Sequence, residues 1–582
     1  MRDPNEYRGI TLAPVVYKIY CSVLNARMTA WCERNDILCD EQNGFRKGRS
    51  TIDHISTLTS IIESRKLARK QTFAAFIDFN KAYDRIDRSL LWSSLKKIGV
   101  RGNMLNAVRS LYRNVQCTVR INNNDSQWFP VRRGLRQGCV LSPLLFNIYI
   151  NDLVELIKDS GLGVNLGVEK VSVLAYADDL VLLADNEDDM NSMLAIINCW
   201  CNSNKMVVNP SKSKIVHFRG PSTSRTSSQF LCGDVELTIS DSYAYLGVLL
   251  TEHLDYNLMA KAATKSATRA LGLLIVKYKS IGGMPTNVYN KLYDAMVWSV
   301  INYSAGIWGT SERSTVNAVH HRALRFLLGI GKYAPNAAVN GECGVDPPVV
   351  RQWTAVARHW SRMKNMPERR LNKRVFSWAE NNKKKNWNHR VNVYLKKINF
   401  DSLRNCTLPI EKGLFVKAVS TASLSLYIEE WKTKLARETA VHGNGRNKLQ
   451  VYRNIKATYS SEHYLNLPLN RNHRSAYVKF RCGIAPLRIE TGRYENVPHN
   501  ERFCFNCPGF MEDEFHVLFK CPLYQQIRQH LFSTCYTKLP LLSTFSEYDQ
   551  FLSLLSNTDI IYYVAKACHD ILQLRREVLY KK

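Results

Sequence analysis

An apolar segment interrupted by two carboxylates constrains the fold of this chain more than any other feature. Residues 171–184 read Val-Ser-Val-Leu-Ala-Tyr-Ala-Asp-Asp-Leu-Val-Leu-Leu-Ala, so Asp178 and Asp179 stand between two apolar runs. Short runs rich in Val and Leu predict buried strands, and two such strands with a brief polar break predict a hairpin. We therefore expect a sheet with two acidic side chains at the tip of one hairpin.

A second apolar run also carries an acid near its end. Residues 73–79 read Phe-Ala-Ala-Phe-Ile-Asp-Phe and predict another buried strand, with Asp78 close to its end. A lone aspartate at a strand end usually caps a turn, whereas two adjacent acids between buried strands repel each other unless a positive charge neutralises them. The sequence has no Lys or Arg between Lys170 and Lys205. The three aspartates therefore predict a site for Mg²⁺, a cation that prefers carboxylate oxygens.

Length and composition exclude several classes of protein. The chain has 582 residues, of which 45% are hydrophobic, so it can bury several cores and is neither a disordered tail nor a small disulfide-stapled module. The 16 cysteines are scattered at irregular spacing, and the first residues lack the apolar stretch of a secretory signal. No run of 18 apolar residues occurs. We expect a soluble, intracellular protein without membrane contact.

Positive charge is concentrated in one quarter of the chain. The formal net charge is +30, of which +10 falls on residues 1–350, +20 on residues 351–500 and 0 on residues 501–582. Basic runs at 369–374 and 383–385, interleaved with Trp378 and Trp387, favour RNA, because phosphates bind Lys and Arg while exposed bases stack on aromatic rings. A solvated helical face and, for Lys383 to Lys385, a nuclear-import signal are the alternatives.

Seven short motifs follow one another in the first half of the chain. They are Tyr-Arg-Gly-Ile-Thr-Leu at 7–12, Gln-Asn-Gly-Phe-Arg-Lys-Gly-Arg-Ser-Thr at 42–51, Phe-Ile-Asp-Phe-Asn-Lys-Ala-Tyr-Asp at 76–84, Gly-Leu-Arg-Gln-Gly-Cys-Val-Leu-Ser-Pro-Leu-Leu-Phe at 134–146, Tyr-Ala-Asp-Asp at 176–179, Asn-Pro-Ser-Lys-Ser-Lys at 209–214 and Tyr-Leu-Gly at 245–247. In this order they resemble the fingers and palm motifs of non-LTR retrotransposon reverse transcriptases. The resemblance covers roughly residues 1–350.

The resemblance implies roles for individual residues. Asp78, Asp178 and Asp179 match the catalytic aspartates that bind two Mg²⁺ ions during nucleotidyl transfer. Tyr83 matches the aromatic gate that excludes a ribose 2′-hydroxyl, and a core aromatic is its alternative role. The other residues expected to contact substrate are Arg8, Arg46, Arg136, Gln137, Gly138 and Lys212. For these the alternatives are solvated arginines, a simple glycine turn before a helix, and a salt-bridged surface lysine.

Four potential metal ligands lie near the C-terminus. Cys504 and Cys507 form a tight Cys-x-x-Cys pair, and His516 and Cys521 follow at a spacing typical of a tetrahedral Zn²⁺ site. The alternative is a set of core thiols in a Phe-rich helix. The pattern resembles the zinc knuckle near the C-terminus of many non-LTR reverse transcriptases, and this resemblance implies a grip on RNA or target DNA.

We therefore predict an α+β, right-hand polymerase followed by a helical basic region and a CCHC zinc knuckle. The predicted domains are fingers and palm at 1–250, a helical thumb at 251–333, a linker at 334–350, a basic helical nucleic-acid-binding region at 351–500, and a zinc knuckle with a helical tail at 501–582. The implied reaction copies template RNA into DNA from dNTPs, primed by the 3′-hydroxyl of a nicked DNA target. By the same resemblance, the protein acts in a cytoplasmic ribonucleoprotein and in the nucleus.

An alternative function is a catalytically incompetent, nucleic-acid-binding remnant of such a polymerase. The chain opens directly at the motif of residues 7–12, so the basic strand that precedes this motif in the family's fingers is missing, and we expect a truncated copy. Signatures of an endonuclease are also missing from the sequence. The chain is therefore predicted to copy RNA and not to nick its target.

Overall fold

The computed structural model describes residues 9–167, 169–382, 385–400, 411–437 and 449–580. Before residue 256 the helices are α1 (Val15–Arg34), α2 (Thr51–Leu67), α3 (Ala82–Arg85), α4 (Arg88–Lys97), α5 (Gly102–Ser110), α6 (Ser142–Asp159) and α7 (Glu187–Asn204). The strands are β1 (Thr72–Ile77), β2 (Gln116–Cys117), β3 (Arg120–Ile121), β4 (Asn124–Asp125), β5 (Phe129–Pro130), β6 (Val164–Asn165), β7 (Lys170–Val171), β8 (Val173–Tyr176), β9 (Asp179–Ala184), β10 (Lys214–Phe218), β11 (Leu231–Cys232), β12 (Val235–Glu236), β13 (Ser242–Tyr245) and β14 (Val248–Thr251).

From residue 256 onward the described chain is helical. The helices are α8 (Tyr256–Ser280), α9 (Thr286–Leu292), α10 (Ser299–Asn302), α11 (Ala305–Trp308), α12 (Ser314–Leu328), α13 (Asn336–Cys343), α14 (Pro348–Lys364), α15 (Leu371–Asn381), α16 (Trp387–Lys397), α17 (Lys412–Arg437), α18 (Gln450–Ile455), α19 (Arg471–Arg481), α20 (Arg488–Tyr494), α21 (Gln525–Lys538), α22 (Glu547–Ser556) and α23 (Ile561–Tyr580). None of the described helices combines the length and apolar character that crossing a bilayer requires.

The chain divides into two compact units. Residues 1–259 and 359–410 form the first unit, and residues 260–358 and 411–582 form the second. The first unit is therefore built from two separate stretches of sequence. This division differs from the predicted domains, because the basic region expected at 351–500 is shared between the two units.

A four-stranded antiparallel sheet lies at the centre of the first unit, with strand order β10-β1-β9-β8. Every residue of β1 is buried, which its uncharged sequence Thr-Phe-Ala-Ala-Phe-Ile allows. Phe73, Ala75 and Ile77 join the core formed with the surrounding helices, whereas the ring of Phe76 stacks on Tyr243, 4.4 Å between centroids. The strand predicted at 73–79 and the hairpin predicted at 171–184 are both confirmed.

Helix α2 is buried on its polar side as well as its apolar side. The sequence predicts an amphipathic helix at 52–70, and the helix is present, but Asp53, Glu63 and Arg65 are each less than 9% exposed. Helix α15 packs against α2, and Asn372 donates a hydrogen bond to Thr57 Oγ1 over 2.7 Å. The polar face of α2 thus serves as an internal surface of the first unit.

Many charges between residues 359 and 397, within the nucleic-acid-binding region predicted at 351–500, are paired inside the protein. These side chains are engaged in ion pairs within the first unit, namely Arg362 with Asp53, Arg370 with Asp40, Arg374 with Glu169, Arg390 with Glu63 and Lys364 with Glu380. Trp387 is only 6% exposed and packs edge-on against His359, so it offers no ring to an RNA base. Trp378 is half-buried, and Lys383 and Lys384 lie outside the described residues.

The segment predicted as a linker at 334–350 contains a buried helix. Residues Asn336–Cys343 form α13, whose residues 338–343 are all buried. The Pro and Gly residues that suggest a linker stand instead at the helix ends, with Pro335 as the N-cap and Gly344 in a left-handed conformation at the C-cap, φ +58°. This helix contributes to one apolar core that extends from Leu324 to Ile571, so the second unit is continuous through the segment.

The buried His54 of α2 makes folding of the first unit sensitive to pH. Its ring nitrogens hydrogen-bond Asn43 Nδ2 over 2.9 Å and Tyr245 Oη over 2.7 Å, and burial lowers its pKa to about 3. The unfolded chain binds a proton at pH values below about 6.5 and the folded chain does not, so stability is full above that pH and is lost on acidification. Between pH 7.5 and 5, His54 alone is expected to lower the free energy of unfolding by about 2 kcal/mol.

Urea unfolding of the wild type and of His54→Gln at several pH values measures this contribution. The glutamine can hydrogen-bond the same neighbours but does not titrate, so its unfolding free energy is expected to fall less steeply with acidification. Parallel pH profiles for the two proteins would contradict the prediction.

Candidate active site

The sheet brings two of the predicted aspartates to one edge. Ile77, the last residue of β1, pairs with Leu180 of β9, so Asp78 follows directly at the end where the β8-β9 hairpin turns. In that hairpin Tyr176 pairs with Asp179, and only Ala177 and Asp178 form the loop. Antiparallel neighbours thus carry Asp78 and Asp178, which are a hundred residues apart in sequence, into the same cavity.

The tip of the hairpin has an unusual backbone. Ala177 adopts φ +58°, a left-handed conformation in a residue with a Cβ. Such a conformation costs a non-glycine residue about 1–2 kcal/mol. Strained residues of this kind persist where the surrounding structure over-determines them, and they cluster at functional sites.

A cavity of about 740 Å³ lies at this edge of the sheet. Its lining collects residues from five predicted motifs, namely Phe45, Asp78, Phe79, Asn80, Lys81, Ala82, Tyr83, Asp84, Arg136, Gln137, Gly138, Cys139, Val140, Ser142, Pro143, Asp178, Asn209, Ser211 and Lys212. Asp179 is not among them. Burial, with contributions from the charges of Asp179 and Asp78, raises the pKa of Tyr243 to about 12.

Asp78 is held by residues to which sequence reasoning assigns no role. Asn209 donates from Nδ2 to Asp78 Oδ2 over 3.2 Å and from its backbone N–H to the Asp78 carbonyl over 2.8 Å. The backbone N–H of Asp78 donates to Ser213 Oγ over 3.0 Å. Both partners belong to the motif at 209–214, from which the sequence predicts a contact for Lys212 only.

Tyr83 stands on the floor of the cavity against a second ring. It stacks on Phe146 of α6 with centroids 4.8 Å apart and ring planes 8° apart. Its hydroxyl oxygen is buried and has no hydrogen-bond partner among the described residues, and burial, with a contribution from Asp178, raises the pKa of this phenol. Tyr83 is thus a rigid, neutral aromatic wall beside the carboxylates.

The loop at 136–138 is anchored from three sides. Gly138 has φ +107°, and a Cβ there would lie 2.9 Å from the carbonyl oxygen of Thr11, so glycine is required. Gln137 donates from Nε2 to Asp84 Oδ1 over 3.2 Å. The Arg136 guanidinium lies over the ring of Tyr17 at 4.7 Å and near that of Tyr112 at 5.7 Å. These contacts present all three predicted residues to the cavity.

The predicted arginines of the fingers differ from this pattern. Arg8 lies outside the described residues. Arg46 does not line the cavity, because its guanidinium pairs with both oxygens of Glu33 at 2.8 and 2.9 Å and donates to the carbonyl of Cys39 over 2.7 Å. Its side chain is only 6% exposed. Arg46 is therefore held by contacts within the protein, and its predicted contact with phosphate stays a prediction.

The cavity has the chemistry of a divalent-cation site. Two carboxylates from adjacent strands converge there, and hard cations such as Mg²⁺ bind one or two protein carboxylates together with substrate phosphates and water. Lys212, which also lines the cavity, is exposed and carries a charge suited to a phosphate. The arrangement can hold a negatively charged substrate through bridging cations.

Cys504, Cys507, His516 and Cys521 form a second cluster, in the other unit. Their ligand atoms all lie within 4.8 Å of one another, and Cys521 Sγ lies 3.9 Å from Cys504 Sγ and 3.7 Å from Cys507 Sγ. Sulfurs at a tetrahedral Zn²⁺ with bonds of about 2.3 Å are about 3.8 Å apart. His516 Nε2 is buried without a hydrogen-bond partner in the described chain. The donor set and its spacing fit zinc.

The segment that contains the cavity is similar to known proteins. Residues 2–250 match the family described as Reverse transcriptase (RNA-dependent DNA polymerase). A Retrovirus-related Pol polyprotein from type-1 retrotransposable element R2 of Popillia japonica is 29% identical over 42% of this chain and 35% of its own length. A Probable RNA-directed DNA polymerase from transposon BS of Drosophila melanogaster is 25% identical over 62% of this chain and 40% of its own length.

This chain therefore spans well under half the length of these two relatives. Among solved structures, apo telomerase from Candida Tropicalis aligns with 70% of this chain and 61% of that chain, at 12% identity and a TM-score of 0.34. This structural likeness is too distant to add to the family match.

Proposed function

We propose that the protein is an RNA-directed DNA polymerase with a right-hand polymerase fold, because residues 2–250 match the family described as Reverse transcriptase (RNA-dependent DNA polymerase) and are similar to retrotransposon proteins. The observation that carries the proposal is the convergence of Asp78 and Asp178 in one cavity with Tyr83, Gln137 and Lys212. The proposed substrates are template RNA, a DNA primer such as a nicked target strand, and dNTPs.

We assign the divalent cations of this reaction to Asp78 and Asp178, with Asp179 as a third candidate, and propose Mg²⁺ as the metal. Ions held by these carboxylates would supply Lewis acidity that lowers the pKa of the attacking 3′-hydroxyl and would neutralise charge on the leaving pyrophosphate. The side chains themselves hold the geometry, since Asn209 and Ser213 orient Asp78. The carboxylates therefore need little rearrangement to receive substrate.

The remaining cavity residues suit the parts of a nucleotide. The flat ring of Tyr83, backed by Phe146, offers a wall against the sugar where a 2′-hydroxyl collides. Gly138 allows backbone to approach the nucleotide closely, and Gln137 beside it offers amide hydrogen bonds. Lys212 supplies a positive charge near the leaving phosphate, where a proton donor assists.

Primer extension by the full chain tests the proposal. A DNA primer annealed to RNA is expected to gain template-directed dNMPs only when Mg²⁺ is present. Without the cation, the negative carboxylates repel the negative phosphates of the dNTP. Salt-sensitive binding of primer and template without any incorporation would instead support the catalytically incompetent remnant.

We also propose that the Cys504, Cys507, His516 and Cys521 cluster binds Zn²⁺ as a zinc knuckle. The turn that closes it is formed by the backbone N–H of Cys504, which donates to the Phe510 carbonyl over 2.7 Å, and by Gly509 at φ +84°. The ring of Phe510 stacks nearly parallel to His516, 14° between planes. An ion bound by these four side chains would cross-link residues 504–521, the segment that precedes α21.

Cys504→Ser is expected to lower the zinc content from about one equivalent per chain and to reduce the melting temperature by about 5–10 °C, because binding energy of a structural zinc is folding energy. Elemental analysis and calorimetry measure the two effects. Cys535→Ser is the matched control, since Cys535 is a fully buried thiol of α21 outside the cluster. A full zinc equivalent in Cys504→Ser would refute the ligand assignment.

Nucleic-acid binding and location in the cell are also proposals. Exposed lysines of α17, namely Lys412, Lys417, Lys432 and Lys434, offer phosphate contacts in the second unit, within the segment where the sequence predicts RNA binding. A cytoplasmic ribonucleoprotein and the nucleus remain the predicted locations, because template RNA and target DNA are found there.

A further inference from the structure

The segment at residues 41–44 is joined to the hairpin that carries Asp178. The backbone N–H of Asn43 donates to the Ala175 carbonyl over 2.8 Å, and the N–H of Ala175 donates to the Glu41 carbonyl over 3.1 Å. These bonds extend the outer edge of β8, the last strand of the sheet. The segment therefore covers an edge strand as well as its turn.

The side chain of Gln42 hydrogen-bonds the backbone of Ala177, the left-handed residue at the tip of the β8-β9 hairpin. Its Oε1 accepts hydrogen bonds from the backbone N–H of Ala177 over 2.8 Å and of Gly44 over 2.8 Å, and its Nε2 donates to the Ala177 carbonyl over 3.2 Å. The side chain is 1% exposed. One carboxamide thus satisfies both polar backbone groups of the residue that precedes Asp178.

Gly44 and Asn147 hold Gln42 in place. A Cβ at Gly44 would lie 2.2 Å from the backbone nitrogen of Ala177, so only glycine permits this approach. The Gly44 carbonyl accepts a hydrogen bond from Asn147 Nδ2 of α6 over 2.7 Å, and Asn147 is 1% exposed. The segment at residues 41–44 is thereby fixed to a helix of the core.

We infer that Gln42 is a positioning residue, which fixes the Ala177–Asp178 peptide and so holds the Asp178 carboxylate at the cavity. The need is physical, because a two-residue turn with a left-handed alanine has other conformations of lower strain. A neutral amide suits the place, because it offers a donor and an acceptor together, whereas a carboxylate there would repel Asp178. The inference rests on the proposed polymerase function for its metal site, but its structural part does not.

Gln42→Met tests the inference, because methionine has a similar length and cannot make the three hydrogen bonds. Asn151→Leu is the matched control. Asn151 is another buried carboxamide of α6, which accepts from the Cys39 N–H over 2.9 Å and donates to the Ile37 carbonyl over 3.1 Å without touching the hairpin. The full chain is used for every variant.

Two readouts separate positioning from general destabilisation. Binding of Mn²⁺, followed by electron paramagnetic resonance without nucleotide, is expected to weaken about 10–100-fold in Gln42→Met and to stay unchanged in Asn151→Leu. Amide hydrogen exchange in the peptide containing Ala177 and Asp178 is expected to accelerate in Gln42→Met alone.

Wild-type Mn²⁺ affinity in Gln42→Met would overturn the inference, as would unchanged exchange at the hairpin tip. If the wild type neither binds Mn²⁺ nor extends a primer, the proposed function fails instead. In that case the exchange measurement still decides whether Gln42 fixes the turn.

Discussion

Asp178→Asn is expected to lower the rate of primer extension by more than about 10³-fold, since a catalytic cation contributes several kcal/mol to the transition state. The asparagine keeps the size of the side chain and the turn at Ala177, but it removes one of the carboxylates that line the cavity. Single-turnover incorporation on an RNA template measures the effect. Binding of primer and template is expected to persist.

Asp188→Asn provides the matched control for this experiment. Asp188 lies in the exposed first turn of α7, ten residues further along the chain, and outside the cavity lining. It makes the same chemical change and is expected to alter the rate less than about twofold, because a solvated charge at that distance is largely screened. Asp178→Asn with at least a tenth of wild-type activity would contradict the assignment of this carboxylate to the metal.

Arg481→Met is expected to lower the free energy of unfolding of the second unit by about 3–5 kcal/mol. The substitution removes the guanidinium and leaves buried carboxylates without a positive charge to pair with. Arg481 is 1% exposed and pairs with Glu342, which is 0% exposed, at 2.9 Å and with Glu462 at 3.0 Å. The hydroxyl of Tyr464 also donates to Glu342. The network joins α13, α19 and the segment between α18 and α19.

Hydrogen exchange of peptides from α19 and α23, which pack against each other, measures this loss in the full chain. Arg488→Met is the control, because Arg488 pairs with a half-exposed Glu495 and is expected to cost less than about 1 kcal/mol. Adding Glu342→Met to Arg481→Met is expected to restore part of the stability, since both charges of the pair are then absent. Equal protection in Arg481→Met and the wild type would contradict the prediction.

The sequence predicts the sheet edge that carries Asp78 and Asp178 because the signals for it are local. Strand, turn and acid stand together at 171–184, and burial on both faces follows from the uncharged sequence of β1. The cysteine and histidine spacing likewise predicts a cluster that the structure brings together. In each case a few neighbouring residues contain both the structural and the chemical pattern.

The sequence does not predict ion pairs whose two residues are far apart along the chain. Arg362 and Asp53 are over 300 residues apart, and no local pattern shows that the basic stretch after residue 358 covers the polar face of α2. The partners of Arg46 are not predictable from the sequence for a similar reason, since only the folded loop directs backbone carbonyls and Glu33 at its guanidinium. Proline and glycine at 334–350 mark helix ends as readily as they mark a linker.

Because the first unit consists of two separate stretches of sequence, its assembly during translation is delayed until the second stretch is synthesised. Asp53 and Glu63 are synthesised early, but their partners Arg362 and Arg390 follow only after the intervening residues 260–358. At about 5–20 residues per second, roughly 100 residues delay completion by about 5–20 s. During this interval the nascent first unit has an uncovered acidic face, and a fragment that stops at residue 259 retains that face permanently.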